Sequence, residues 1–110
     1  MASKKTTSSK CASPPRISDH TKTFVKDWSR LSASGRYDMK RLKEAMLLLI
    51  GNEAPLGPEW LDHPLKGEWA DHRECHIGGD FLLIYQLHGS GSKEIICFVR
   101  AGTHAELFEG

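Results

Sequence analysis

Two short segments, Phe81–Tyr85 (FLLIY) and Ile95–Val99 (IICFV), are apolar at nearly every position. A strand with one face in water alternates apolar and polar residues, so uniform runs of this length mean a sheet covered on both faces, at least centrally. Turn residues at Gly78–Gly79 and His88–Ser92 separate strands expected over Trp69–Ile77, Phe81–Leu87 and Glu94–Ala101, which form a meander. Upstream the period changes. Thr21–Leu31 places Phe24, Trp28 and Leu31 at helical spacing, with Lys22, Lys26 and Arg30 on another face. Ser34 and Gly35 break that helix, and Asp38 caps a second one whose Met39, Leu42, Met46, Leu49 and Ile50 form one stripe. Arg16–Asp19 reads as a short edge strand, and Asn52–Pro58 as a loop.

A chain of 110 residues builds one modest core. No apolar run approaches the roughly 20 residues of a membrane helix; the longest, Ala45–Ile50 and Phe81–Tyr85, are core-sized. The net charge of +1 conceals a division. Residues 1–43 hold eleven Lys or Arg against three Asp, and residues 44–110 hold four against eleven acids. The basic half suits a polyanionic partner such as nucleic acid, or else is a solubilising tail with a solvated helix face. Cys11, Cys75 and Cys97 fit neither a zinc module nor a disulfide framework, which points to a reducing compartment. Residues 1–15 lack the apolar stretch of a secretory signal and read as a disordered basic tail before a domain at 16–110. A cytoplasmic protein is expected.

Chemistry concentrates near the C-terminus, where His63, His72, His76 and His104 fall in one stretch with Asp80 and Arg100. Histidines beside a carboxylate and an arginine supply proton acceptors, proton donors and anion stabilisation. Strand alternation puts His72, Glu74 and His76 on one face and Arg73, Cys75 and Ile77 on the other. The same rule puts Phe98 and Arg100 on one face with Val99 opposite, and Asp80 and His104 at a turn and a strand end.

The segments DHPLKGEW, RECH with Asp80 four residues after its His, DFLLIY and VRAGTHAELF together resemble the C-terminal half of YafQ-type toxins of the RelE/ParE superfamily, with similarity over residues 17–108. The resemblance implies an α+β fold, a two-helix hairpin packed on a small twisted antiparallel β-sheet. It also implies a type II toxin–antitoxin toxin that acts as a ribosome-dependent mRNA endoribonuclease without metal or cofactor. In that family the RNA 2′-hydroxyl attacks the adjacent phosphate, giving a 2′,3′-cyclic phosphate and a 5′-hydroxyl. By motif, the catalytic positions are His63, His76, Asp80, Arg100 and His104. Arg100 would stabilise phosphate charge, His104 would protonate the leaving 5′-oxygen, and Asp80 helped by His76 would take the 2′-hydroxyl proton, with His63 orienting or sharing that role. Phe108 offers a ring for base stacking. Lys22, Lys26 and Arg30 would dock ribosomal RNA. The expected partners are mRNA on the ribosome and a cognate antitoxin with an acidic or amphipathic inhibitory segment and a DNA-binding domain.

Rival readings accompany these roles. Arg100 can pair with Glu74 across the sheet, and Phe108 can plug the core. Trp69 reads as core, and His20, His72 and His88 as surface residues. His72, Cys75 and His76 hint at a metal site, but adjacent strand residues point to opposite faces, so no metal is expected. The Gly78–Gly79 turn and the basic tail depart from the family pattern. A gyrase-poisoning relative and a non-catalytic antitoxin-binding module are the alternatives.

Overall fold

Thr21 is where the chain changes from strand to helix. Its N–H donates to Phe98 O at 3.1 Å and its hydroxyl donates to Val99 O at 2.7 Å while accepting the Phe24 N–H at 2.9 Å. One residue therefore ends β1 (Ile17–His20), caps α1 (Lys22–Ser34) and pins both to β5 (Ile95–Thr103). The structure, a computed structural model, describes residues 16–51, 56–89 and 94–109. The basic tail with Cys11, most of the Asn52–Pro58 loop and residues 90–93 of the last turn lie outside the described residues. Gly35, in the left-handed region at φ 70°, ends α1. Asp38 then caps α2 (Met39–Ile50) by accepting the Arg41 N–H at 3.0 Å.

The remaining strands are β2 (His63–Pro64), β3 (Arg73–Gly78) and β4 (Phe81–His88), in a five-stranded sheet of order β1-β5-β4-β3-β2. All neighbours are antiparallel except β1, the edge strand read in the sequence, which runs parallel to β5. Parallel pairing follows from connectivity, because the two helices carry the chain across the sheet before β2. Phe24, Leu31, Leu42, Ala45 and Leu49 of the helices pack on Cys75, Ile77, Leu83, Tyr85, Ile96, Phe98 and Ala101 of the sheet. On the far face Leu82 and Ile84 are covered by Leu107 from a wide C-terminal turn, Ala105–Glu109, with Leu65, Trp69 and Val99 around them. The doubly apolar strands thus do have both faces covered.

Two local departures from alternation matter for the site. Ile84 pairs with Arg100 but Tyr85 pairs with Phe98, so Val99 has no partner of its own. This β-bulge turns Phe98 into the helix-covered core and Arg100 to the opposite face, correcting the expectation that they share one. Second, the first meander strand starts at Arg73 rather than Trp69. Gly67–Trp69 forms a single tight turn and Asp71 takes φ 74°, so Trp69 sits half-buried in the small far-face cluster and outside the main core.

Asp62 locks the segment before β2 to the sheet. Its carboxylate, fully buried, accepts the Tyr85 hydroxyl at 2.5 Å, the Leu56 N–H at 3.0 Å and the Arg73 Nε–H at 2.9 Å. Burial and the bond to Asp62 push the Tyr85 hydroxyl pKa up. Tyr85→Phe should leave a buried carboxylate short of one donor and destabilise the fold by about 1–3 kcal/mol, read as a lower urea midpoint with unchanged slope. An unchanged midpoint would show that this bond contributes nothing to the fold.

Candidate active site

The far face of the sheet carries two carboxylate–imidazole pairs. β2 and β3 set His63 opposite Glu74, and alternation along β3 puts His76 on the same side. One buried oxygen, Glu74 Oε2, lies 3.2 Å from His63 Nε2 and 3.4 Å from His76 Nε2. The His63 Nδ1–H donates to Leu61 O at 2.7 Å, since a carbonyl only accepts. Nε2 of His63 therefore bears a hydrogen only as imidazolium, and the His63–Glu74 contact is attractive only when the pair shares a proton. Glu74 is 3% exposed and its Oε1 has no partner among the described residues. An orphaned buried carboxylate oxygen costs about 1–3 kcal/mol and is characteristic of functional sites. Leu61, left-handed at φ 50°, is the bend that sends Asp62 inward and leaves His63 over Glu74.

The second pair joins two turns. Asp80, after the Gly78–Gly79 turn, accepts from His104 Nδ1 at 2.7 Å and from the His104 backbone N–H at 3.3 Å. These bonds, the side-chain one foremost, hold the Asp80 carboxyl below the usual carboxylate range. Nε2 of His104 is left for another partner. The His76 and His104 rings are 6.2 Å apart, with His63 6.1 Å beyond His76. On the other flank Phe108 lies 5.7 Å from His104 and 5.8 Å from Trp69, edge-on, which in turn meets His72. Phe108 is 38% exposed; the neighbouring Leu107, not Phe108, is the plug.

Arg100 does not meet Glu74. Ile84 stands between them in the row, so they are about two strand spacings, roughly 10 Å, apart. Its guanidinium reaches round the sheet edge to Asp27 of α1, with Nε–Oδ2 at 2.9 Å and Nη2–Oδ1 at 3.1 Å. Asp27 also accepts the Ala101 N–H at 3.1 Å and Arg30 Nη1 at 2.9 Å. Burial alone would raise the Asp27 pKa, but the bonds from Arg100, Ala101 and Arg30 outweigh it and hold it low. Arg30 continues to Glu106 at 3.3 Å, and Glu106 accepts the Thr103 N–H at 2.9 Å, which anchors the turn bearing Phe108. Gly102 makes this possible, because a Cβ there would lie 2.7 Å from the Glu106 carboxylate. Lys22 and Lys26 are exposed, whereas Arg30 is held in this network.

His63, His76, Asp80, His104 and Phe108 thus gather on one face, while Arg100 leaves β5 on the same side with its guanidinium turned to Asp27, and the pairings differ from the sequence reading. Asp80 partners His104, and His76 is partnered by Glu74, which was weighed only as a mate for Arg100. Asp27 was missed as well, although a carboxylate within the Phe24–Leu31 apolar stripe is a recognisable signal. The sequence reading tested Cys75 with His72 and His76 as ligands. Instead, the ligand atoms of His63, Glu74 and His76 lie within 4.8 Å of one another, a donor set that fits a transition-metal ion.

Asp27→Ala should leave Arg100 and the Ala101 N–H without their acceptor and destabilise the protein by about 1.5–3 kcal/mol. Asp27→Asn should recover part of that stability, having the same shape with one acceptor oxygen. Equal thermal midpoints for all three proteins would contradict this account.

Known proteins of the same fold identify the family. Residues 16–109 match the family model described as the bacterial toxin of type II toxin–antitoxin systems, YafQ. The mRNA interferase toxin YafQ of Escherichia coli strain K12 is 42% identical over 79 residues, covering 72% of this chain and 82% of that protein. The toxin fold in the crystal structure of the E. coli DinJ–YafQ toxin–antitoxin complex superposes with a TM-score of 0.71 at 38% identity, over 86% of this chain and 98% of that one. A metal-bound toxin from Helicobacter pylori gives a TM-score of 0.71 at 39% identity, over 84% and 99%. The chain belongs to the YafQ family of toxins of bacterial type II toxin–antitoxin systems.

Proposed function

We propose that this toxin is an endoribonuclease that cuts mRNA in the A site of translating ribosomes, by attack of a 2′-hydroxyl on its neighbouring phosphate. The observation that carries the reading is the two carboxylate–imidazole pairs, Glu74–His76 and Asp80–His104, with rings 6.2 Å apart on one face. Such a reaction needs one base and one acid on either side of a phosphorus. Glu74 holds the Nε2–H of His76, leaving Nδ1 to take the 2′-hydroxyl proton. Asp80 holds Nδ1–H of His104, so that Nε2–H of the imidazolium protonates the leaving 5′-oxygen. His63, sharing a proton with Glu74, offsets its buried charge. Arg100, with Nε and Nη2 turned to Asp27, offers its remaining N–H groups to the phosphate. Phe108 stacks a base.

The proton transfers in this scheme require no metal. An ion held by His63, Glu74 and His76 would polarise a nearby oxygen, yet it would occupy the atoms that orient the base. His104→Ala should lower the cleavage rate in a translation mixture about 10²–10⁴-fold, as for a lost general acid. A chelator selective for zinc and other transition metals, which spares the magnesium that ribosomes need, should leave the parent rate unchanged, and added zinc should slow it. Cleavage abolished by the chelator would overturn the metal-free scheme.

Docking belongs to α1, where Lys22 and Lys26 project into solvent; Arg30 contributes less, being held by Asp27 and Glu106. Replacing both lysines with Gln should weaken ribosome binding at every codon and reduce its salt slope by about two. The same affinity and slope as the parent would move docking elsewhere. The regulator in this reading is an antitoxin with an acidic or amphipathic inhibitory segment; the E. coli relative is found in a toxin–antitoxin complex with DinJ. Val25 and Leu47, 46% and 68% exposed among the lysines of α1 and α2, suit such a segment. The cytoplasm is where ribosomes and antitoxin would both be met; no helix among the described residues is long and apolar enough to cross a membrane.

A further inference from the structure

Beside the Asp80–His104 pair, on the side away from Glu74, lies a cavity of about 320 Å³ between the α1–α2 loop and the turn joining β3 to β4. That volume falls at the lower end of small-ligand sites, about 300–1,000 Å³. Its walls come from Arg36, Tyr37, Asp38, Asp80, Phe81 and Thr103, which the scheme above leaves unused apart from Asp80. Tyr37 is half-buried with its ring 5.0 Å from that of Phe81, so the cavity has an aromatic wall fixed by packing. Arg36 is exposed at the rim and forms no ion pair among the described residues. Asp38 spends Oδ1 on the Arg41 N–H, and Asp80 spends Oδ1 on His104, which leaves Oδ2 of each carboxylate without a partner among the described residues.

We infer that this cavity is a nucleotide subsite, taking the base on the 3′ side of the cut and preferring one with an exocyclic amino group. The inference rests on the nuclease reading above. The side follows from Asp80, which belongs both to the cavity and to the pair whose imidazole serves the 5′-oxygen. That oxygen is part of the nucleotide 3′ of the cut. The chemical preference follows from the acceptors. Two carboxylate oxygens can receive both hydrogens of an exocyclic amino group, as on adenine, cytosine or guanine, whereas uracil has no amino group and offers a single ring N–H flanked by carbonyl oxygens that the carboxylates repel. Tyr37 supplies the stacking surface, and Arg36 meets the phosphate on the far side of that nucleotide.

The test uses the full-length toxin in a translation mixture with messages that differ only at the nucleotide 3′ of the cut, reading initial rates and 5′-ends. The parent should cut before A, C or G about three- to tenfold faster than before U, the scale of one hydrogen bond. Asp38→Ser keeps a helix cap but removes one of the two carboxylates, so it should narrow this difference, slowing cleavage before A, C or G relative to cleavage before U. Arg36→Ala, on the surface, should slow all four contexts by a similar factor. Circular dichroism would verify that both variants fold. A folded Asp38→Ser protein with the parental rates in all four contexts, or a parent indifferent to this nucleotide, overturns the subsite. A parent that cuts nothing overturns the nuclease reading, and the subsite with it.

Discussion

Asp27 is the buried anion on which both the fold and the candidate site depend. Where β1 stops pairing with β5, a free sheet edge begins, and α1 crosses it with a carboxylate that accepts the Ala101 N–H. A charge buried to this extent persists only with several donors, and Arg100, Arg30 and Ala101 supply them. Through Arg30 the same anion reaches Glu106 and so the turn that carries Leu107 and Phe108. The helix layer, the phosphate-binding arginine of the proposed scheme and the cover of the far face therefore share one electrostatic anchor.

The two carboxylate–imidazole pairs differ in setting. Glu74 lies under two rings in a nearly dry position, with one oxygen lacking any partner among the described residues, whereas Asp80 is open to solvent at a glycine turn. A buried carboxylate resists reorientation and fixes its imidazole rigidly. An exposed one lets its partner exchange protons with water. In the proposed scheme this asymmetry suits a base that must be aimed and an acid that must be recharged after each turnover.

Helix limits, the edge strand, the meander and the double covering of the sheet were all written in residue patterns, because caps, glycine stops and apolar periods act locally. The parallel pairing of β1 was not, since it depends on where two helices return the chain. The candidate residues were readable by type and motif, yet their partners were not. His104 and Asp80 are 24 positions apart and meet through register alone, and Arg100 finds Asp27 across 73 positions. Simple alternation also put Phe98 on the face of Arg100, because nothing in IICFVRAG marks Val99 as an extra residue.

The unpaired residue at Val99 bears on which changes in chain length β5 can absorb. Phe98 and Arg100 already pair with consecutive residues of β4, Tyr85 and Ile84, so a strand lacking Val99 would keep both pairings, with Phe98 in the helix-covered layer and Arg100 on the opposite face. A residue lost elsewhere in β5 would instead carry every side chain on one side of the gap to the wrong face. One position of the strand is thus spare, and a deletion there spares both the core and the arginine.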